Sequence, residues 1–181
     1  MKNGILDLFD KLTIKESLAV LLEHTEIKSC HLDIKANTVE IVLACDAPFP
    51  RDLLYAYAEA AKTAYRLNDI KISFFSPGFN PTPEYIGGIV SEFLRSHGGC
   101  RPFLSCAEFT ADGNRITVSN IIGGEMLLNQ NRFKEFICAK LYSELGREFE
   151  VSLEFREFNE KEYLENRDKK QLEITEREAA K

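Results

Sequence analysis

Residues 76–85, SPGFNPTPEY, place three prolines and a glycine in ten positions near the middle of a 181-residue chain. Proline removes a backbone donor and pushes the residue before it toward extended geometry, so neither a helix nor a central strand runs through this stretch. It reads as a seam, and the two flanks then read as copies of one pattern.

Before the seam, a short apolar segment (Ile5 to Leu12) leads into Thr13-Ile14-Lys15-Glu16, a capping-box pattern that predicts a helix over about 14–24 with Leu18, Leu21 and Leu22 on one face. Cys30, Leu32 and Ile34 alternate with His31, Asp33 and Lys35; Asn37-Thr38 turns the chain; Val39, Ile41 and Leu43 alternate again, which predicts a β-hairpin. Pro48 and Pro50 stop the strand, and Pro50 suits the first turn of a helix over about 51–66. Ile70, Ile72 and Phe74 alternate as a third strand. The order is α-β-β-α-β.

After the seam the order recurs. Thr82 caps and Pro83 starts a helix to about Ser96, ended by Gly98-Gly99. A strand is predicted from Phe103 to Thr110, a hairpin turn at Asp112-Gly113, and a return strand through Ile116 and Val118. A short segment from Glu125 to Asn129 follows Gly123-Gly124, then a helix near 131–145 and a closing strand through Phe149, Val151, Leu153 and Phe155. Leu53, Tyr57, Ala61 and Tyr65 fall on Phe133, Ile137, Leu141 and Leu145 at an offset of about 80. The expected architecture is α+β: two tandem modules, 1–77 and 78–156, each a three-stranded sheet with helices on one face. The seam is expected to act as a hinge between modules that fold alone. Residues 157–181 hold 14 charged residues in 25 and read as a charged linker or tail.

Net charge is −6, shared evenly: each of the three segments carries −2. That balance disfavours strong direct nucleic-acid binding, which calls for a basic footprint. No apolar run reaches the ~18 residues of a membrane span, and residues 1–4 do not open a signal peptide. The five cysteines are odd in number and lack CxxC spacing, which suits reduced thiols in a cytoplasmic protein.

Catalytic chemistry finds little to stand on. Of the three histidines, His24 sits at a predicted helix C-terminus and His31 points outward on a strand. His97, Cys100 and Cys106 match no common zinc spacing and lack a fourth ligand. Gly123-Gly124 lies between a strand and a helix but has neither a Walker lysine nor dinucleotide spacing. Asp7 and Asp10 have no further carboxylate placed to join them in a two-metal site. No catalytic, cofactor-binding or metal-binding residue is therefore assigned.

The helix over 51–66 is unusual. Leu54, Tyr57, Ala58, Ala61 and Tyr65 make one core face at helical spacing, while Leu53, Tyr55, Ala56 and Ala60 add apolar surface roughly 100° or more away. Those four are the candidate partner-binding residues, since tyrosine serves often as an interface anchor and small neighbours admit a close backbone. The alternative is that this second face packs on the other module.

The element order is similar to type II KH-like folds, although neither half carries the GxxG loop with which KH modules clamp nucleic acid. Three stretches resemble a family: DAPFPRDLLYAYAEAA from Asp46, FNPTPEY from Phe79, and NQNRFK from Asn129 with YSELGREFEVSL from Tyr142. They resemble the N-terminal region of the PolC-type alpha subunit of bacterial DNA polymerase III. The resemblance covers about 1–156 in layout. It implies part of a DNA-directed DNA polymerase, a nucleotidyltransferase with 3′-5′ exonuclease activity. Its OB-fold, PHP, exonuclease and polymerase domains have no counterpart in this chain, so no active-site residue carries over. It further implies a non-catalytic platform for replisome contacts, with the clamp-loader tau subunit docking on the first module and the charged tail leading toward the remainder of the polymerase chain. Two other readings stay open: a KH-like RNA- or single-strand-binding protein, and a small enzyme with a cleft between the modules lined by His97, Cys100 or Cys106.

Overall fold

In a computed structural model of the chain, the structure describes residues 5–9, 22 and 25–157. Apart from Leu22, the helix expected over 14–24 lies outside the described residues, as do Asp10, His24 and the charged tail beyond residue 157.

The first module opens with α1 (Ile5–Leu8) and continues with β1 (Glu26–Asp33), β2 (Thr38–Ala44), α2 (Arg51–Tyr65) and β3 (Asp69–Phe75). β1 and β2 form an antiparallel hairpin, and β3 lies parallel to β2 on its other side. A parallel neighbour needs a crossover, and α2 provides it across one face of the sheet. The hairpin turn is fixed locally: Asp33 Oδ1 accepts hydrogen bonds from the amides of Lys35 and Ala36, and Asn37 takes the left-handed conformation at φ 53°. Asn37 Nδ2 then donates to the Arg66 carbonyl and Asn68 Nδ2 to that of Ala36, tying the exit of α2 to the hairpin.

The second module is α3 (Pro83–Ser96), a 3-10 turn (Gly98–Cys100), α4 (Arg101–Leu104), β4 (Glu108–Asp112), β5 (Arg115–Ile122), α5 (Glu125–Gln130), α6 (Phe133–Leu145) and β6 (Glu150–Arg156). Its sheet has the same plan, with β4–β5 antiparallel and β5–β6 parallel. Thr82 caps α3 by accepting a hydrogen bond from the Tyr85 amide, with Pro83 in the first turn. The chain is thus α+β: two tandem modules, each built on a three-stranded mixed sheet with helices.

Two expectations need correction. The strand foreseen from Phe103 begins only at Glu108, because Pro102 sits in the first turn of α4 and residues 98–104 are helical. The alternation of Cys30, Leu32 and Ile34 does not mark a buried face: Leu32 is 56% and Ile34 83% exposed, and Cys30 is exposed too. β1 is an edge strand, and alternation on an edge does not fix which side is covered.

Each module has its own core. The first centres on Ile41, Leu43, Ala61, Tyr57 and Phe74; the second centres on Ile86, Phe93, Ile116, Phe133 and Leu141. Tyr85 packs against both. The seam is not a free hinge. The Ser76 amide donates to the Glu144 carbonyl at 2.7 Å, and Arg147 Nη2 donates to the Phe79 carbonyl and to Asn80 Oδ1.

Candidate functional site

The modules meet around one carboxylate. Glu144, on the last turn of α6, is 2% exposed. Arg51, the first residue of α2, reaches it with two hydrogen bonds, Nη1 to Oε1 at 2.8 Å and Nη2 to Oε2 at 2.5 Å. The same Nη1 donates to Glu92 Oε2 at 2.8 Å, and the Tyr85 hydroxyl donates to Glu144 Oε2 at 2.6 Å. Lys140 Nζ lies 2.5 Å from Glu92 and 3.6 Å from Glu144. Burial opposes the Arg51 charge, yet the hydrogen bonds and charge of Glu144, with Glu92, outweigh it and hold the guanidinium above its ordinary value. Burial, then the Glu144 charge, pushes the Tyr85 phenol well up. Such a network joins two surfaces in one geometry, because each oxygen has a directed donor.

Clefts open on both sides of this bridge. One, of about 440 Å³, runs past Phe49, Pro50, Phe79 and Tyr85. The other, of about 420 Å³, has Asp69 to Phe74 of β3 along one wall, Leu54, Tyr55 and Ala58 of α2 beside it, and Glu92, Arg95 and Lys140 from the second module.

The sequence-predicted faces of α2 sort as follows. Leu54, Tyr57, Ala58 and Ala61 are buried and Tyr65 is half-buried. Of the four candidate partner-binding residues, Tyr55, Ala56 and Ala60 are exposed and Leu53 is half-buried. Tyr55 stands at the mouth of the second cleft, 55% exposed, with the Arg95 guanidinium 4.6 Å above its ring. Arg95 also pairs with Asp52. The second module therefore touches this face at Tyr55 through Arg95 without covering it.

The residues weighed for catalysis do not come together. The His97 ring stacks on Phe93 at 4.2 Å, with Nδ1 3.1 Å from the Phe93 carbonyl. Cys100 is buried and Cys106 lies beside Ser105; none of the three lines either cleft. His31 is exposed on β1. Among the described residues no group of three or more His, Cys, Asp or Glu is placed to hold a metal ion. Gly123 and Gly124 take positive φ between β5 and α5, and the space above Gly124 is filled by the Phe103 ring. Among the described residues no helix is long and apolar enough to cross a membrane.

Cysteine exposure yields a simple check. Burial, with the charges of Asp46 and Glu144, pushes the Cys45 thiol up to about 11, and burial raises Cys100 and Cys138 as well, whereas Cys30 is exposed. Alkylation of the folded chain at neutral pH is expected to label Cys30 first, with Cys45 and Cys100 slow until denaturant is added. Mass mapping of the adducts reads the order; early labelling of Cys100 would contradict the packing of the second core.

Sequence reasoning missed the Arg51–Glu144–Tyr85 network. A signal was present: Glu144 falls in the same stripe as Ile137, Leu141 and Leu145 on α6, where a carboxylate needs a partner. A scan of the chain against protein-family models, curated proteins and solved structures finds no significant match.

Proposed function

We propose that this chain is a non-catalytic protein-interaction region of a bacterial replicative DNA polymerase III alpha subunit of the PolC type, with α2 as a docking surface for the clamp-loader tau subunit. The observation that carries the docking reading is that Tyr55, Ala56 and Ala60 stay exposed on a helix that buries Leu54, Tyr57, Ala58 and Ala61 in the core. A surface tyrosine followed by the exposed Ala56 and Ala60, at the lip of a cleft, is what a partner backbone can approach closely. The polymerase assignment rests on the three resembling stretches, each of which supplies a part of the module contact: Arg51 lies in the first, Tyr85 in the second and Glu144 in the third.

Nucleic-acid clamping has less support. The junction between α5 and α6, where a KH module carries its GxxG loop, is Asn131-Arg132. The acidic balance of the chain points the same way.

The test is Tyr55→Glu. It is expected to abolish binding to a tau fragment, a loss of about 2 kcal/mol or more for a central anchor, while leaving the melting temperature nearly unchanged. Calorimetric titration and a thermal melt read the two arms. Unfolding of the variant, or binding that survives it, would remove α2 as the docking site; a wild-type chain that ignores tau would remove the partner.

A further inference from the structure

β3 is an edge strand, and the larger part of one cleft wall is its open side. The phase of its backbone is fixed at one end. Phe75 turns its carbonyl toward β2, where it accepts from the Cys45 amide at 3.1 Å, and Ser76 turns its amide the other way, to Glu144. Backbone groups alternate sides along a strand, so Ile70, Ile72 and Phe74 present their N–H and C=O groups to the cleft. Those groups have no hydrogen-bond partner among the described residues. The end of α6 closes the edge at Ser76 and leaves the segment from Asp69 to Phe74 open.

We infer that this cleft is a strand-addition site: an extended segment of a partner protein, apolar on one side and acidic on the other, pairs with the backbone of Ile70, Ile72 and Phe74. The inference rests on the docking reading above and names its mode of recognition. A cleft of about 420 Å³ falls in the range of about 300–1,000 Å³ typical of ligand sites. Strand addition draws affinity from main-chain hydrogen bonds and specificity from pockets for alternate side chains. The apolar side meets Leu54 and Ala58 of α2, beneath Tyr55. The acidic side faces Lys71, which alternates with Ile70 and Ile72 and so lies on the face of β3 away from α2. Arg95, held over Tyr55 and Asp52 of α2, adds its charge at the mouth of the cleft. Glu92 and Glu144 are engaged by Arg51 and Lys140, whereas Lys71 and Arg95 carry only solvent-exposed carboxylates, Glu40 and Asp52, as partners. Lys71 also guards the bare edge against unselected strands, so a segment that pairs there must answer its charge. Asp69 stands at the far end of the open edge and excludes an acidic residue from that position.

The test uses the full chain and a blocked synthetic peptide of about eight residues alternating valine and glutamate, the length of one strand. Saturable binding is expected, with amide exchange at Ile70, Ile72 and Phe74 slowed about tenfold or more and that at Lys71 and Ser73 unchanged. The same peptide with lysine for glutamate is expected not to bind. Ile72→Pro removes an outward N–H and spares the ladder to β2, so it is expected to abolish binding in a folded chain. Should that variant unfold, Lys71→Glu combined with Arg95→Glu takes its place, with an expected loss of about tenfold or more. A peptide that fails to bind, or that binds without protecting those three amides, overturns strand addition whatever tau does; Tyr55→Glu separately decides the docking reading.

Discussion

Glu144→Ala is expected to destabilise the chain by about 3–5 kcal/mol, the usual result of removing one partner from a buried ion pair. The reason is local. Arg51, with its side chain 15% exposed, keeps only Glu92, and the Tyr85 hydroxyl loses its acceptor. For a chain of this size each kcal/mol moves the melting temperature by about 2–4 °C, so a fall of about 6–20 °C is expected. Two controls separate the pair from general fragility. Replacing both partners with apolar residues, Arg51→Met with Glu144→Leu, is expected to recover much of the loss, because no charge is then left stranded. Removing the exposed pair, by Glu150→Ala, is expected to cost about 0–1 kcal/mol, since Arg115 and Glu150 are 72% and 71% exposed. Urea denaturation reads all three. A loss under about 1 kcal/mol for Glu144→Ala would mean that water replaces the carboxylate at no cost and that the modules are not held by it.

Gly124→Ala is expected to be the next most damaging single change described here, at about 2–5 kcal/mol. Gly124 has φ +71°, and a Cβ built on it comes within 2.4 Å to 2.7 Å of three Phe103 ring atoms. The conformational cost of a left-handed alanine is about 1–2 kcal/mol, and moving a packed ring adds about 1–3 kcal/mol. Gly113 isolates the first part: its φ is +58° but nothing lies within 4 Å of its Cβ position. Gly113→Ala is therefore expected to cost only the conformational share, about 1–2 kcal/mol. Equal shifts in the urea midpoints of the two variants would show that Phe103 moves aside freely.

Where a signal was local, the sequence carried it. The seam, the capping of α3 by Thr82, the hairpin turn at Gly113 and the two faces of α2 each depend on neighbours within a few residues. Residues 98–104 misled because Phe103 and Leu104 resemble the start of a strand, while Pro102 in a helical first turn is the feature that decides. The exposed apolar residues of β1 misled for another reason: alternation reports a pleat, and only tertiary packing says which side of it is covered. The Arg51–Glu144 pair lies 93 residues apart, so its charges read as ordinary surface groups until the modules are placed together. The open edge of β3 was beyond reach for the same reason, because the order of strands in a sheet is not written in the order of the chain.

The contact between the modules also has a symmetry. Equivalent helices, α2 and α6, meet by unlike ends: Arg51 begins one and Glu144 lies in the last turn of the other. A head-to-tail join between like units has no natural stop, and repetition of it would build a fibre. Here the chain carries each half of the join once. At the offset of about 80 residues, Glu144 corresponds to Ala64 and Arg51 to Asn131. The free end of each module thus lacks the charge with which this join is made.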